Sequence, residues 1–321
     1  MTASWSWSLS DRPSLQDLLE VQQHFGLPSP ALVEKDWHVV QALGAVTAAD
    51  TAPARLVFGG GTALSRAHRL IRRMSEDIDF KIVSDSPLGR PALRALRDTI
   101  TDALLKAGFQ FDPQNSEYRE SGNASRYTRY RLPYASVAAA HAILRPEIQI
   151  ETAVWPLRLP AVERSVSSFV AEAFHRPPEV PAVPCVALVE TVAEKFVALT
   201  RRAGAELADA GGPRDPTLVR HVYDLHTIRA HYDLAEVALL AREIIVADAA
   251  AYGHQYPAYR ADPVAETLRA VASLEGNPSF ASRYAAFQRN MVYGESADFE
   301  TAVATLAALA AQLAATADKQ T

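Results

Sequence analysis

Residues 54–83 read ARLVFGGGTALSRAHRLIRRMSEDIDFKIV, and the order of patterns inside this stretch decides the fold. An apolar run, Leu56-Val57-Phe58, meets three glycines at Gly59, Gly60 and Gly61; a helical pattern follows, with Leu64, Ala67, Ile71 and Met74 on one side. Beyond it Asp77, Asp79 and Lys81 alternate with Ile78, Phe80 and Ile82, the period-two signature of a strand with one wet and one buried face. The expected order is strand, glycine turn, helix, strand, and the two aspartates point the same way.

Two carboxylates on one strand face suit a hard divalent cation such as Mg²⁺, which takes oxygen ligands and shares them with substrate phosphates. An Asp-Ile-Asp triplet is also what an ordinary solvated strand shows. The glycine turn upstream adds to it: Phe58-Gly59-Gly60-Gly61-Thr62 closes a strand and opens a helix, where free backbone N–H groups can face a triphosphate, with Ser65 one turn in as a further donor. No Gly-Lys-Ser/Thr follows, so the turn is not a Walker loop.

Working outward, Ser14 to Val46 reads as helical, with a break at Pro28 and Pro30. Downstream, Pro91 to Ala107 is an amphipathic helix, and RYTRYRLPY and ILRPEIQIETAV are two strands; in the second, Glu147, Gln149 and Glu151 share a face opposite Ile148 and Ile150. Four prolines in RPPEVPAVP (176–184) mark a domain boundary. Helical patterns then run over Leu188–Arg202, Pro216–Ala230, Leu234–Ala251, Pro263–Leu274 and Glu300–Ala315, with GAELADAGGPRDP as a loop between the first two. The predicted fold class is α+β: N-terminal helices (1–46) packing on a mixed-sheet core (47–175), then a C-terminal helical domain (185–321), with the cleft between the last two as the expected active site.

The composition supports a globular chain of 321 residues, 49% hydrophobic and 21% charged. A net charge of −5 argues against broad adhesion to nucleic acid, so any such contact must be local. Cys185 is the single cysteine, which excludes an intrachain disulfide and a cysteine-rich zinc site and leaves it as a packing residue. The Ala-rich run 302–315, broken by Thr305 and Gln312, reads as too short and too weakly apolar to span a bilayer. MTASWSWSLSDRP lacks the features of a signal peptide, and a cytoplasmic location is expected.

Glycine turn, helix and Asp-X-Asp strand in that order are the architecture of the polymerase-β-like nucleotidyltransferases. Within that superfamily VEKDWHVVQAL, LVFGGGTALSRAHRL and RMSEDIDFKI resemble the AbiEii/AbiGii abortive-infection toxins, and LVETVAEKFVAL and RHVYDLHTI are similar to that family's two later motifs. The resemblance spans Val33 to Arg229. It implies that Gly60, Gly61, Thr62 and Ser65 cradle phosphates, that Asp77 and Asp79 bind Mg²⁺, that Lys195 contacts the nucleotide phosphates and that Asp224 completes the pocket. Many members carry an acidic residue after the arginine of the last motif, where this chain has His221, which leaves the role of that motif open.

Read from the residues, Lys195 sits beside the apolar stripe Val189, Val192, Ala193 and Phe196 and can lean toward a cleft. Asp224 lies four residues after Arg220 and can pair with it. A third carboxylate is expected on a strand beside the Asp-X-Asp strand; Glu151 is the choice and Glu147 the reserve, since both face one way. Arg66, Arg69 and Arg73 at helical spacing, and Arg119, Arg126, Arg129 and Arg131 with Tyr127 and Tyr130, suit contact with an RNA backbone and bases.

The expected reaction is transfer of a nucleotide from a nucleoside triphosphate to an acceptor hydroxyl, and the resemblance implies tRNA as the leading acceptor. The resemblance adds the role of toxin in a toxin–antitoxin or phage-defence pair with a cognate antitoxin. The alternatives are nucleotidylation of a protein or a small molecule, and a non-catalytic nucleotide- or RNA-binding module.

Overall fold

The structure is a computed structural model and describes residues 12–208 and 215–317. In chain order the elements are α1 (Leu15–Phe25), α2 (Pro30–Thr47), β1 (Arg55–Gly59), α3 (Gly60–Thr62), β2 (Asp77–Val83), α4 (Arg90–Lys106), β3 (Arg119–Gly122), β4 (Tyr127–Pro133), β5 (Glu147–Val154), β6 (Val162–Val166), α5 (Phe169–Ala173) and β7 (Val180–Cys185). There follow α6 (Leu188–Leu207), α7 (Arg220–Thr227), α8 (Leu234–Tyr252), α9 (Pro257–Ala261), α10 (Pro263–Leu274), α11 (Pro278–Met291) and α12 (Phe299–Ala317). Two compact units result, one of Met1–Arg69 with Met74–Val186 and one of Leu70–Arg73 with Ala187–Thr321.

The first unit is built on a seven-stranded mixed sheet ordered β3-β4-β5-β2-β1-β7-β6. β2 runs antiparallel to β1 and parallel to β5, so the strand carrying both aspartates lies inside the sheet with partners on either side. Its alternation holds: Ile78, Phe80 and Ile82 are buried while Asp77, Asp79 and Lys81 are half-buried on the other face. Tyr130, Leu132, Ile148 and Ile150 extend the apolar face, which shares one core with Val39, Val40 and Leu43 of α2 and Leu93, Leu96, Ile100 and Leu104 of α4. Removal of this apolar surface from water stabilises the unit, at about 25 cal/mol per Å².

α2 is buried nearly all round, from Ala31 to Leu43, so its charged residues are enclosed as well. Glu34 accepts from the backbone N–H groups of Val137 (2.8 Å) and Ala138 (3.1 Å). Lys35 donates to the Arg145 carbonyl (2.8 Å) and the Glu147 carbonyl and pairs with Glu76 at 3.1 Å. Asp36 pairs with Arg66 at 2.7 Å and accepts from the Phe169 N–H at 2.7 Å. Three consecutive charges thus fix three separate segments of the same unit.

Several expectations change. The helix after the glycines does not reach Met74: α3 runs into a π-helical turn, Ala63–Ala67, and Arg69 adopts φ +57°, a left-handed conformation that ends it. The proline-rich segment 176–184, expected to mark a domain boundary, lies just before the division at Val186 and Ala187 and is itself structured: it carries most of β7, which pairs with β6 and belongs to the first unit. Pro181 and Pro184 lack an N–H to donate, and β7 meets β1 through only one residue pair, Phe58 and Cys185, so the strand tolerates them. Strands β3 and β6 and helices α5 and α11 were also not apparent in the sequence. Of GAELADAGGPRDP, residues 204–207 form the end of α6, and 209–214 lie outside the described residues, as do residues 1–11.

The second unit is helical. α6, α8, α10 and α12 pack on one another, and α7 packs on α6 and α12. By length and composition Phe299–Thr316 is long and apolar enough to cross a membrane, contrary to the expectation for the Ala-rich run. Ala302, Val303, Leu306, Leu309 and Leu313 of that helix are nevertheless buried in the bundle. That is the packing of a core helix.

Candidate active site

A single row crosses the sheet of the first unit. Gly59 of β1 pairs with Asp79 of β2, Asp79 with Glu151 of β5, Glu151 with Arg129 of β4, and Arg129 with Glu120 of β3. Neighbouring strands stand about 4.8 Å apart, so Asp79 and Glu151 are adjacent on one face. The neighbouring row joins Asp77, Gln149 and Arg131. Glu147 lies at the start of β5 opposite Pro133, with Arg131 3.8 Å from its carboxylate. Register therefore separates the two glutamates that periodicity could not, and Glu151 is the one beside Asp79.

On its other side Asp79 meets the glycine turn. Gly60 has φ +72°, and a Cβ at that position would lie 1.9 Å from Asp79 Oδ2. Only glycine combines that backbone conformation with so close an approach. Thr62 is buried, its hydroxyl donating to the Asp77 carbonyl with Ser75 Oγ 3.0 Å away. Ser65 is buried too, and its hydroxyl donates to the Thr62 carbonyl at 3.2 Å. In this geometry Thr62 and Ser65 shape the turn, and the backbone N–H groups of Gly60 and Gly61 open a helical segment and have no acceptor within it. The segment is short, so its dipole adds little.

Asp77 is held by Arg145, whose guanidinium also reaches Glu76 (3.2 Å) and Gln149 (3.0 Å). Gln149 donates in turn to Glu151 at 2.8 Å. Tyr127 hydrogen-bonds to Glu151; burial and that carboxylate push the phenol up to about 12, so it stays protonated and donates. Lys35, Glu76 and Arg145 were not anticipated from the sequence, which placed Gln149 on this face without a role and offered Tyr127 for RNA contact. A usable signal existed in Glu34-Lys35-Asp36, three consecutive charges in a helix with apolar residues on every side.

Oxygen donors on one strand face, with a third carboxylate on the next strand, fit Mg²⁺, which is usually held by one or two carboxylates plus substrate phosphates. Among the described residues no group of three or more His, Cys, Asp or Glu is arranged to hold an ion without such phosphates.

Within the second unit Asp224 gathers two cations. Arg73 donates to its two oxygens at 2.6 and 2.8 Å, and Lys195 lies 2.9 Å away. Burial pushes the Asp224 carboxyl up, but Arg73 and Lys195 outweigh it and hold the group well below the usual carboxylate range. Lys195 is lowered by burial, partly offset by Asp224. The lysine is thus an enclosed member of an ion cluster, where the sequence suggested a helix edge. His221 is buried, and burial together with Lys195 and Arg220 holds it well below its ordinary value, which leaves the ring neutral.

The arginine surfaces need correcting. Arg66 and Arg73 are buried, at 5% and 3% exposed, and serve Asp36 and Asp224. Arg119 pairs with Asp98 at 3.3 Å, and Arg129 and Arg131 share Glu120. Asp98 comes from α4 and Glu120 from the strand beside Arg129 and Arg131, so the pairings depend on folding and not on helical or strand spacing. Arg126 is exposed. Cys185 is a buried packing residue of β7, its thiol pushed up to about 12 by burial.

A mixed sheet with an Asp-X-Asp strand, a glycine turn against the second aspartate and a further carboxylate one strand over defines the nucleotidyltransferase class. The family model for the AbiEii nucleotidyl transferase toxin of type IV toxin–antitoxin systems matches residues 41–305, and the chain belongs to that family. The match continues past Arg229, where the resemblance read from the motifs stopped, and begins after most of VEKDWHVVQAL. Among solved structures the chain is similar to MenT4, the nucleotidyltransferase toxin Rv2826c from Mycobacterium tuberculosis H37Rv, at 18% identity and a TM-score of 0.47 over 94% of this chain and 89% of that one. No curated protein matches. The chain is a nucleotidyltransferase toxin; its family implies a nucleoside triphosphate as substrate and a cognate antitoxin as partner.

Proposed function

We propose that the protein transfers a nucleotide from a Mg²⁺-bound nucleoside triphosphate to a hydroxyl of tRNA in the cytoplasm. The row Gly59–Asp79–Glu151 carries this reading, because it sets the end of the glycine turn, Asp79 and Glu151 side by side. Asp77 and Asp79 would hold Mg²⁺, which polarises the phosphoryl group and neutralises charge on the leaving pyrophosphate. Backbone N–H groups of Gly60 and Gly61 donate to phosphate oxygens. Glu151, held by Gln149 and Tyr127, accepts the proton of the acceptor hydroxyl or assists Asp79. The acceptor oxygen then bonds to the α-phosphorus as the bond from that phosphorus to pyrophosphate breaks. Family resemblance assigns Lys195 to the nucleotide phosphates and Asp224 to the pocket.

The test is incubation of the purified protein with Mg²⁺, each labelled triphosphate in turn, and total tRNA. Label on tRNA with release of pyrophosphate, lost in Asp79→Ala, supports the reading. Label only on protein bands in a cell extract would move the acceptor from RNA to protein.

A further inference from the structure

Arg145 is fixed at its backbone and adjustable at its side chain. Its N–H donates to Glu76 Oε2 at 3.2 Å and its carbonyl accepts from the buried Lys35 ammonium at 2.8 Å. Pro146 follows and restricts Arg145 to extended backbone. The side chain is 37% exposed, and its guanidinium spans three acceptors: Asp77, Glu76 at 3.2 Å and Gln149 at 3.0 Å.

We propose that Arg145 is the resident counter-cation of the nucleotide site, holding Asp77 until a divalent cation takes that carboxylate, and then remaining on Glu76 and Gln149. This rests on the reading of Asp77 and Asp79 as metal ligands given above. Glu76, Asp77 and Asp79 follow one another within four residues, and side-by-side carboxylates repel unless a cation sits among them. A planar guanidinium with five donors serves several carboxylate and amide oxygens at once, which an ammonium cannot. Because Glu76 and Gln149 retain it, release of Asp77 needs only a turn of the guanidinium end. The loop before β5 stays in place under Lys35. The divalent cation and Arg145 therefore compete for Asp77. Without nucleotide the arginine lowers the affinity of the site for metal, and metal arriving with a triphosphate gains the phosphate oxygens as extra ligands.

Direct Mn²⁺ binding to the full chain without nucleotide, with free ion counted by electron paramagnetic resonance, tests this. Arg145→Gln is expected to bind Mn²⁺ roughly two- to fivefold more tightly than the parent, the size of one partly exposed ion pair. Should that variant not fold, Arg145→Lys serves in its place: it keeps a charge but loses the three-way reach, and is expected to bind Mn²⁺ more tightly than the parent by a smaller factor. Equal or weaker affinity in whichever variant folds, with binding that Asp77→Asn still reduces, would overturn the role of Arg145 alone. Mn²⁺ binding indifferent to Asp77→Asn would overturn it together with the metal reading beneath it.

Discussion

A methyl group on residue 60 would sit 1.9 Å from Oδ2 of Asp79, so a side chain at position 60 and the Asp79 carboxylate in its present place exclude one another. Gly60→Ala meets two obstacles. An alanine at φ +72° costs about 1–2 kcal/mol, and the aspartate must also move away from its place beside Glu151. A displacement of about 1 Å in a reacting group can cost on the order of a hundredfold in rate. We expect nucleotide transfer to fall about a hundredfold while unfolding free energy falls by roughly 1–3 kcal/mol, measured by single-turnover kinetics and urea titration. Near-normal transfer would mean that Asp79 tolerates relocation.

Arg66 is enclosed between Asp36 (2.7 Å), Glu172 (3.7 Å) and the Phe169 ring, whose centroid lies 3.5 Å from its guanidinium carbon. Arg66→Met retains bulk and removes charge, leaving Asp36 buried without its cation. A loss of about 3–5 kcal/mol is expected. Adding Asp36→Asn should return part of it, since the stranded carboxylate is then gone. A single variant within about 0.5 kcal/mol of the parent in urea would show that the pair contributes little.

Neighbouring positions on α2 titrate in opposite senses. Burial, partly offset by Arg66, raises Asp36 to about 6, whereas burial and Arg12 lower His38 to about 4. Between its usual value and about pH 6 the native Asp36 keeps a proton that the unfolded chain releases, so its contribution to stability falls as pH rises through that window. Native His38 is neutral where the unfolded imidazole charges, so its contribution is full above 6.5 and is lost as pH falls toward about 4. Each is worth roughly 3 kcal/mol, and over the shared range they oppose one another. Removing one unmasks the other. Melting temperatures between pH 5 and pH 7 should rise on acidification in His38→Gln and drop more steeply than the parent's in Asp36→Asn; parallel slopes in both would contradict the assignment.

In the second unit Asp224 and Lys195 are not equivalent. Lys195→Met leaves Asp224 bonded to Arg73 at 2.6 and 2.8 Å, so a modest stability cost is expected, and the proposed contact of the lysine with nucleotide phosphates predicts weaker triphosphate binding. Asp224→Asn removes the common partner of two buried cations, and a loss of about 3–5 kcal/mol is expected. Urea midpoints and nucleotide titration of the two variants check the ranking. Equal destabilisation would mean that Lys195 carries as much of the cluster as Asp224.

The sequence made some of this legible and hid the rest for physical reasons. Asp77, Ile78 and Asp79 announce a strand because alternation is a local property, and Gly59 to Gly61 announce a turn for the same reason. The break at Arg69 is not local: Leu64, Ala67, Ile71 and Met74 keep helical spacing while the backbone leaves the helix. β7 was hidden behind prolines that suit it only because of how little it pairs with β1. Arg66 and Arg73 looked like a basic stripe because their carboxylates, Asp36 and Asp224, lie 30 and 151 residues away along the chain. Lys195 looked like an edge residue because burial of a charge depends on a partner that periodicity does not name.

Glu151 and Glu147 provide the sharpest separation of register from periodicity. Both occupy the same face of β5, so composition and alternation rate them equally. Pairing places Glu151 against Asp79 and bonded to Gln149 and Tyr127, while Glu147 stands four residues back near Arg131. Under the proposed function a proton acceptor or third metal ligand must reach what Asp79 would hold, and of the two glutamates Glu151 is the one adjacent to it. Glu151→Gln keeps the shape and the ability to accept from Gln149, yet removes the charge; transfer to an acceptor should fall by about two to four orders of magnitude, the usual contribution of a general base. Triphosphate binding should change far less, since Asp77, Asp79 and the glycine turn remain. Glu147→Gln should alter transfer by less than about fivefold, because a partly exposed ion pair with Arg131 is worth at most about 1 kcal/mol. Both rates are read in the same labelled-nucleotide assay. If Glu147→Gln is the more damaging substitution, the acceptor approaches from the start of β5, and the row through Asp79 is not the line along which the proton leaves.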